Sequence, residues 1–271
     1  MRIVAVPALA LAALALAACG AGTKPAAQGN PGPLVHFVSP RMDAVYAMQT
    51  VKETKDGKEV EVEAPPKLEV LFDLQNYVVG KDEAGKGQHL HLIVDNEPYQ
   101  AIYDVTKGFA LDPKLLTKGT HVLRAFPSAG PKDDKGALHH ESRKNAGAFA
   151  WVRFHVGAKG GDLALEFDPA KPLLTYSRPK GEYVVGSPEH TKFMVDWYLT
   201  NVTLGAGGYH VAVSLDGKKV GDYTEWKPVV LEKSPEVGDH TLKVELLDRD
   251  DRAVTGPFNA TERKFKVAEK K

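Results

Sequence analysis

The chain is almost without cysteine: Cys19 stands alone in 271 residues. With no second thiol there is no internal disulfide, and any core must rest on apolar burial. Net charge is absent too, since 35 basic residues face 35 acidic ones. No basic stripe breaks that balance, which excludes broad attraction to nucleic acid. The sequence has no nucleophile elbow, no glycine-rich phosphate loop and no pair of acids in a defined setting, so the reading is of a protein that is not an enzyme. Ser142, after His139-His140-Glu141, is the single candidate nucleophile with neighbours. Adjacent loop residues do not make a triad, whose members meet in space. Long amphipathic periodicity is missing as well, which argues against a helical fold.

What is present begins at the N-terminus. Arg2 is followed by an uncharged run from Ile3 to Ala18 and then by Cys19. The run is too short for a membrane span and reads as a signal peptide over residues 1–18. Leu16-Ala17-Ala18-Cys19 resembles the lipobox of bacterial lipoproteins. That resemblance implies cleavage before Cys19, acylation of Cys19 and attachment to a membrane through the lipid. Several acyl chains, each burying many CH₂ groups at ~0.8 kcal/mol apiece, would anchor the protein without a polybasic patch. Gly20 stands where such proteins carry an Asp when retained in the inner membrane, so the likeness implies the outer membrane of the bacterial cell envelope. Residues 19–33 are small, polar and proline-rich and read as a lipidated flexible tether.

Beyond the tether the sequence repeats itself. Leu74-Gln75-Asn76 returns as Leu199-Thr200-Asn201, and GQHLHLIVDN (87–96) returns as GYHVAVSLDG (208–217). Gly119 to Arg124 returns as Gly238 to Lys243, and Arg153-Phe154-His155-Val156 as Lys264-Phe265-Lys266-Val267. Each copy consists of period-2 runs punctuated by Gly, Pro, Asn and Asp. The expected fold is all-β: two tandem immunoglobulin/fibronectin-like β-sandwich domains, 34–157 and 162–268, after the signal peptide and tether. Thr50 to Lys58 in the first copy, with Asp56-Gly57, reads as an inserted hairpin or long loop.

The second copy fixes which way side chains point in the first. Val211, Val213 and Leu215 form a plain apolar side, so by alignment Leu90, Leu92 and Val94 face the core while His89, His91 and Ile93 face outward. The same reasoning sends Val122, Arg124 and Phe126 outward, and with them Trp151, Arg153 and His155. One sheet face of the first copy therefore gathers histidine, arginine and aromatic side chains where the second copy has small or charged ones.

That face suggests two chemistries. Arg124 and Arg153 could grip an anion while Phe126 and Trp151 offer flat surfaces, which suits a peptide, glycan or protein partner in the envelope. Alternatively His89 and His91, two imidazoles on one strand face, could bind zinc or copper with His139, His140 or His155 completing the set. The His-x-His spacing is similar to that of copper-zinc superoxide dismutases, whose further histidines and disulfide are missing here. A third reading has the long loop between Phe126 and Ala148 and the inserted hairpin covering the face. Gly-x-His recurs at His121 and His240, which reads as a shared structural feature. The HxHLIVDN strand within a double sandwich also resembles poorly characterised bacterial envelope lipoproteins. The function expected is a membrane-anchored, non-catalytic binding or structural module.

Overall fold

A computed structural model describes residues 32–81, 87–129, 141–142, 145–161 and 166–270; Cys19, His139 and His140 lie outside them. The first sandwich contains β1 (Leu34–Ser39), β2 (Ala44–Tyr46), β3 (Gln49–Lys55), β4 (Lys58–Ala64), β5 (Glu69–Gln75) and β6 (His89–Val94). It continues with β7 (Gln100–Ile102), β8 (Phe109–Ala110), β9 (Gly119–Ala129), β10 (Glu141–Ser142) and β11 (Ala150–Val156). The second contains β12 (Leu173–Arg178), β13 (Gly181–Val184), β14 (Met194–Thr200) and β15 (His210–Leu215). β16 (Lys218–Tyr223), β17 (Val229–Val230), β18 (Gly238–Leu247) and β19 (Ala260–Ala268) complete it.

The two copies share one topology. Sheets β1-β5-β8 and β2-β11-β9-β6-β7, with β10 appended to β9, correspond to β12-β14-β17 and β13-β19-β18-β15-β16. In each copy the first strand pairs antiparallel in one sheet. The chain then passes a cis proline, Ser39–Pro40 or Arg178–Pro179, and crosses to pair parallel with the last strand of the other sheet. This is an immunoglobulin/fibronectin-like arrangement, two sheets closing on inward-facing residues. The inserted segment forms the β3–β4 hairpin, turned at Asp56 and Gly57 with φ of 52° and 77°, the left-handed pair that a two-residue hairpin turn needs.

Side-chain parity follows the period-2 reading. Leu90, Leu92, Leu123 and Phe154 are buried in the first core, and Val211, Val213, Leu242 and Phe265 in the second. The Gly-x-His motifs are matching staples. His121 Nδ1 meets Asp95 Oδ2 at 2.7 Å and His240 Nδ1 meets Asp216 Oδ2 at 2.8 Å. The other ring nitrogens meet the Thr117 and Glu236 carbonyls, and the rings stack on Phe154 and Phe265. Burial alone would lower both imidazoles, but the carboxylates and carbonyls outweigh it and hold them above their usual value.

Residues 32–271 form a single compact unit because the sandwiches pack face to face. The outer side of β6 and β9 lies against the outer side of β12 and β14, so β6 is buried on both faces. Phe126 stacks on Tyr198 at 4.2 Å, while Val122 clusters with Leu173, Phe167 and Phe258. Each fully buried large apolar side chain contributes roughly 1.5–3 kcal/mol, which makes this seam a third core.

Candidate functional site

The face that gathered histidine, arginine and aromatics in the sequence is the seam. Arg124 has no exposure; its Nη1 donates to Thr175 Oγ1 at 2.8 Å, its Nη2 to the Asp95 carbonyl, and its guanidinium lies 3.7 Å from the centre of the Phe258 ring. Burial pulls Arg124 down to about 9, still charged at neutral pH. Phe126 is fully buried. The cover is therefore the second sandwich itself; the long loop invoked for that role lies mostly outside the described residues.

The four residues expected to grip a ligand do not converge on one open site. Arg124 and Phe126 are spent on the seam. Arg153 forms a fork with Asp43, Nε to Oδ1 at 2.6 Å and Nη2 to Oδ2 at 3.2 Å, which lowers the Asp43 carboxyl and raises the guanidinium. Trp151 packs edge-on against Phe167 and retains an open side, lining a groove of about 330 Å³ with Phe37, Met42 and Phe149.

Of the histidines, His89 and His91 do meet, with Nε2 atoms 3.1 Å apart. His155 does not join them. It sits across from Thr120 on β9, whereas His89 sits across from Ser128. Eight strand residues separate those positions, about 27 Å at ~3.4 Å each. His155 bonds Thr120 Oγ1 at 2.9 Å instead, and burial, then Lys159, lowers its imidazole. Among the described residues no three His, Cys, Asp or Glu side chains form a metal cluster.

The His pair belongs to a longer chain that sequence reading did not find. His89 Nδ1 lies 2.8 Å from the Gly87 carbonyl, which can accept and never donate, so this nitrogen carries the proton. A neutral His89 then presents a bare Nε2, which makes His91 Nε2 the donor. His91 Nδ1 in turn accepts from Ser177 Oγ at 3.2 Å. The direction Ser177 to His91 to His89 to Gly87 is thus fixed by its last acceptor. Burial lowers the His89 imidazole, with Arg178 and Lys180 adding to the effect against the Gly87 carbonyl, so the neutral form this chain requires is favoured.

Tyr99 is the pivot beside it. His91 stacks on one face of its ring at 3.6 Å, and Lys180 Nζ stands 3.7 Å from the same ring centre. Arg178 Nη2 donates to its hydroxyl at 3.0 Å and Lys180 Nζ to its carbonyl at 2.6 Å. Ser177, Arg178 and Lys180 come from the end of β12 and the turn after it, positions where the first copy has Val38, Ser39 and Arg41. The copy-to-copy contrast that exposed the histidines would have flagged them if extended to the first strands.

No family model and no curated protein sequence matches the chain. Among solved structures, the fibronectin(III)-like modules of Clostridium thermocellum CbhA align over 87% of this chain and 95% of their own, at 12% identity and a TM-score of 0.27. A Bacteroides ovatus protein of a mixed-linkage glucan utilization locus, SGBP-B, solved with a mixed-linkage heptasaccharide, aligns over 89% of this chain and 71% of its own, at 13% identity and a TM-score of 0.18.

Proposed function

We propose that this is a membrane-anchored envelope lipoprotein in which the double sandwich acts as a stiff, non-catalytic binding or structural module. The observation that carries the reading is the closed seam. Arg124, Phe126, His91 and Tyr198, all fully buried, are used to lock one sandwich onto the other. Such a block on a flexible tether suits presentation or spacing at a membrane surface, and the Trp151 groove is where a peptide or glycan would meet it. Lipid attachment is supported by Leu16-Ala17-Ala18-Cys19. Two measurements test the reading. Small-angle scattering from residues 32–271 should fit one rigid particle, and detergent-phase partitioning should hold the acylated chain and release Cys19→Ser. Scattering that demands a hinge between the sandwiches would remove the first part; aqueous partitioning of the acylation-competent chain would remove the second.

A second reading, transition-metal binding, is supported by the His89–His91 approach. Both Nδ1 atoms are anchored by oxygens, the usual outer support of ligating imidazoles. The 3.1 Å between Nε2 atoms is close to the edge of a tetrahedron with zinc–nitrogen bonds of ~2.0–2.1 Å. Calorimetric titration of zinc and copper into the wild type and His91→Ala decides it. Tight binding lost in the variant supports the metal; no heat in the wild type leaves the hydrogen-bonded chain.

A further inference from the structure

Four cations stand at or beside the seam: Arg124, Arg178, Lys180 and Arg263. Buried charges are ordinarily paired, yet among the described residues none of these four has a carboxylate within ion-pair distance. Their solutions differ. Arg124 is sealed between the Asp95 carbonyl, Thr175 and the Phe258 ring. Arg263 Nη2 donates to the carbonyls of Asn96 at 2.9 Å and Glu97 at 3.2 Å, with the guanidinium 4.3 Å from the Tyr176 ring centre. These two tie a turn of the first sandwich to the second.

Arg178 and Lys180 are in another position. Both lean on Tyr99, at 6.0 Å and 3.7 Å from its ring centre. Tyr99 accepts from both, Tyr183 adds a side-chain hydrogen bond to Arg178, and Arg178 Nε, wholly shielded from solvent, has no acceptor among the described residues. Both also line a pocket of about 280 Å³ with Tyr183 and Ser187, with Glu182 and Glu189 also on its wall. Arg178 and Lys180 thus both line one small cavity, and guanidinium and ammonium groups are the donors that a planar or tetrahedral oxyanion takes.

We propose that Arg178 and Lys180 form an anion site beside the seam, which takes the carboxylate or phosphate group of a small molecule. The electrostatics of Lys180 support this: burial, then Arg178 and Arg263, push it down to about 8, which a bound anion opposes, while Tyr99, Tyr183 and the buried Asp196 hold Arg178 charged against its own burial. The pocket wall comes from the second sandwich, at β12, β13 and the segment after them, and is tied to the first sandwich through the hold of Arg178 and Lys180 on Tyr99. Occupancy therefore stabilises the folded chain, since only the folded state assembles this pocket. The site goes beyond the module reading and needs neither the lipid anchor nor a metal.

The test is thermal unfolding of the mature chain at fixed ionic strength, with chloride replaced stepwise by inorganic phosphate or by acetate. A saturable rise in Tm is expected with at least one of them, and which one identifies the group. Lys180→Gln, which keeps a donor for the Tyr99 carbonyl but loses the charge, should weaken that binding about tenfold or more. Lys233→Gln, an exposed lysine paired with Glu236, should leave it unchanged. No saturable difference from chloride overturns the site, as does an equal response in Lys180→Gln. If Lys180→Gln fails to fold, mass spectrometry of amine acylation in the wild type replaces it. Phosphate or acetate should protect Lys180 selectively, and unchanged labelling counts against the proposal.

Discussion

The two sandwiches carry one topology on opposite surface chemistries. Where the copies agree, the residues build the fold: the cis prolines, the left-handed Asn76 and Asn201 (φ 57° and 56°), and the His–Asp staples. Where they differ, the residues tell which sheet meets the partner copy. On β9 the outward residues are Val122, Arg124 and Phe126, while the matching positions of β18 hold Thr241, Lys243 and Glu245. The pattern reverses on the other sheet. Leu71 and Asp73 of β5 face solvent-side positions, and their counterparts Asp196 and Tyr198 of β14 are buried in the seam. A duplicated domain can thus stack asymmetrically, one copy lending one sheet and the second copy lending the other.

The comparison can be broken most severely by separating the copies. Residues 160–271 alone keep their own core but expose Leu173, Tyr198 and Phe258, each worth roughly 1.5–3 kcal/mol when buried. The fragment should melt well below the full chain and self-associate by light scattering. A monomeric fragment as stable as the whole would mean the seam contributes little.

Matched substitutions give the next largest effect. Phe126→Ala should cost about 3–5 kcal/mol in urea unfolding, a fully buried aromatic lost from a packed seam. Glu245→Ala, its counterpart in the second copy, should stay within about 0.5 kcal/mol. Equal costs would contradict the asymmetry.

The staples should show the smallest difference, since here the copies agree. His121→Ala and His240→Ala should each cost about 1–2 kcal/mol at pH 6, with His240 at the lower end because Asp216 is the more exposed carboxylate. Both imidazoles are held above their unfolded value. Their extra stability is therefore complete below pH ~6.5 and fades as pH rises through the folded-state pKa. A variant whose deficit grows with rising pH would reverse that sign.

Much of this was legible in the sequence because period-2 alternation is local. A strand residue has two faces to choose from, and the plain apolar side of Val211 and Val213 settled the choice for Leu90 and His91 alike. The repeat located the strands, and Asp56-Gly57 located the inserted hairpin. The failure of His155 to join His89 was not legible. Both point outward, but distance along β9 enters through register, which alternation leaves open.

The copy contrast singles out Ser177, Arg178 and Lys180, but what they meet lay beyond reach for a related reason: Ser177 meets His91, 86 positions away, and Arg178 and Lys180 meet Tyr99, each across the two sandwiches. By itself the sequence determined an all-β duplicated chain, the parity of its strands and the residues that face outward. Whether outward meant solvent or protein was decided by the stacking of β12 and β14 onto β6 and β9. Alternation records which side of a sheet a residue occupies, and nothing in it records what lies on the other side of that face.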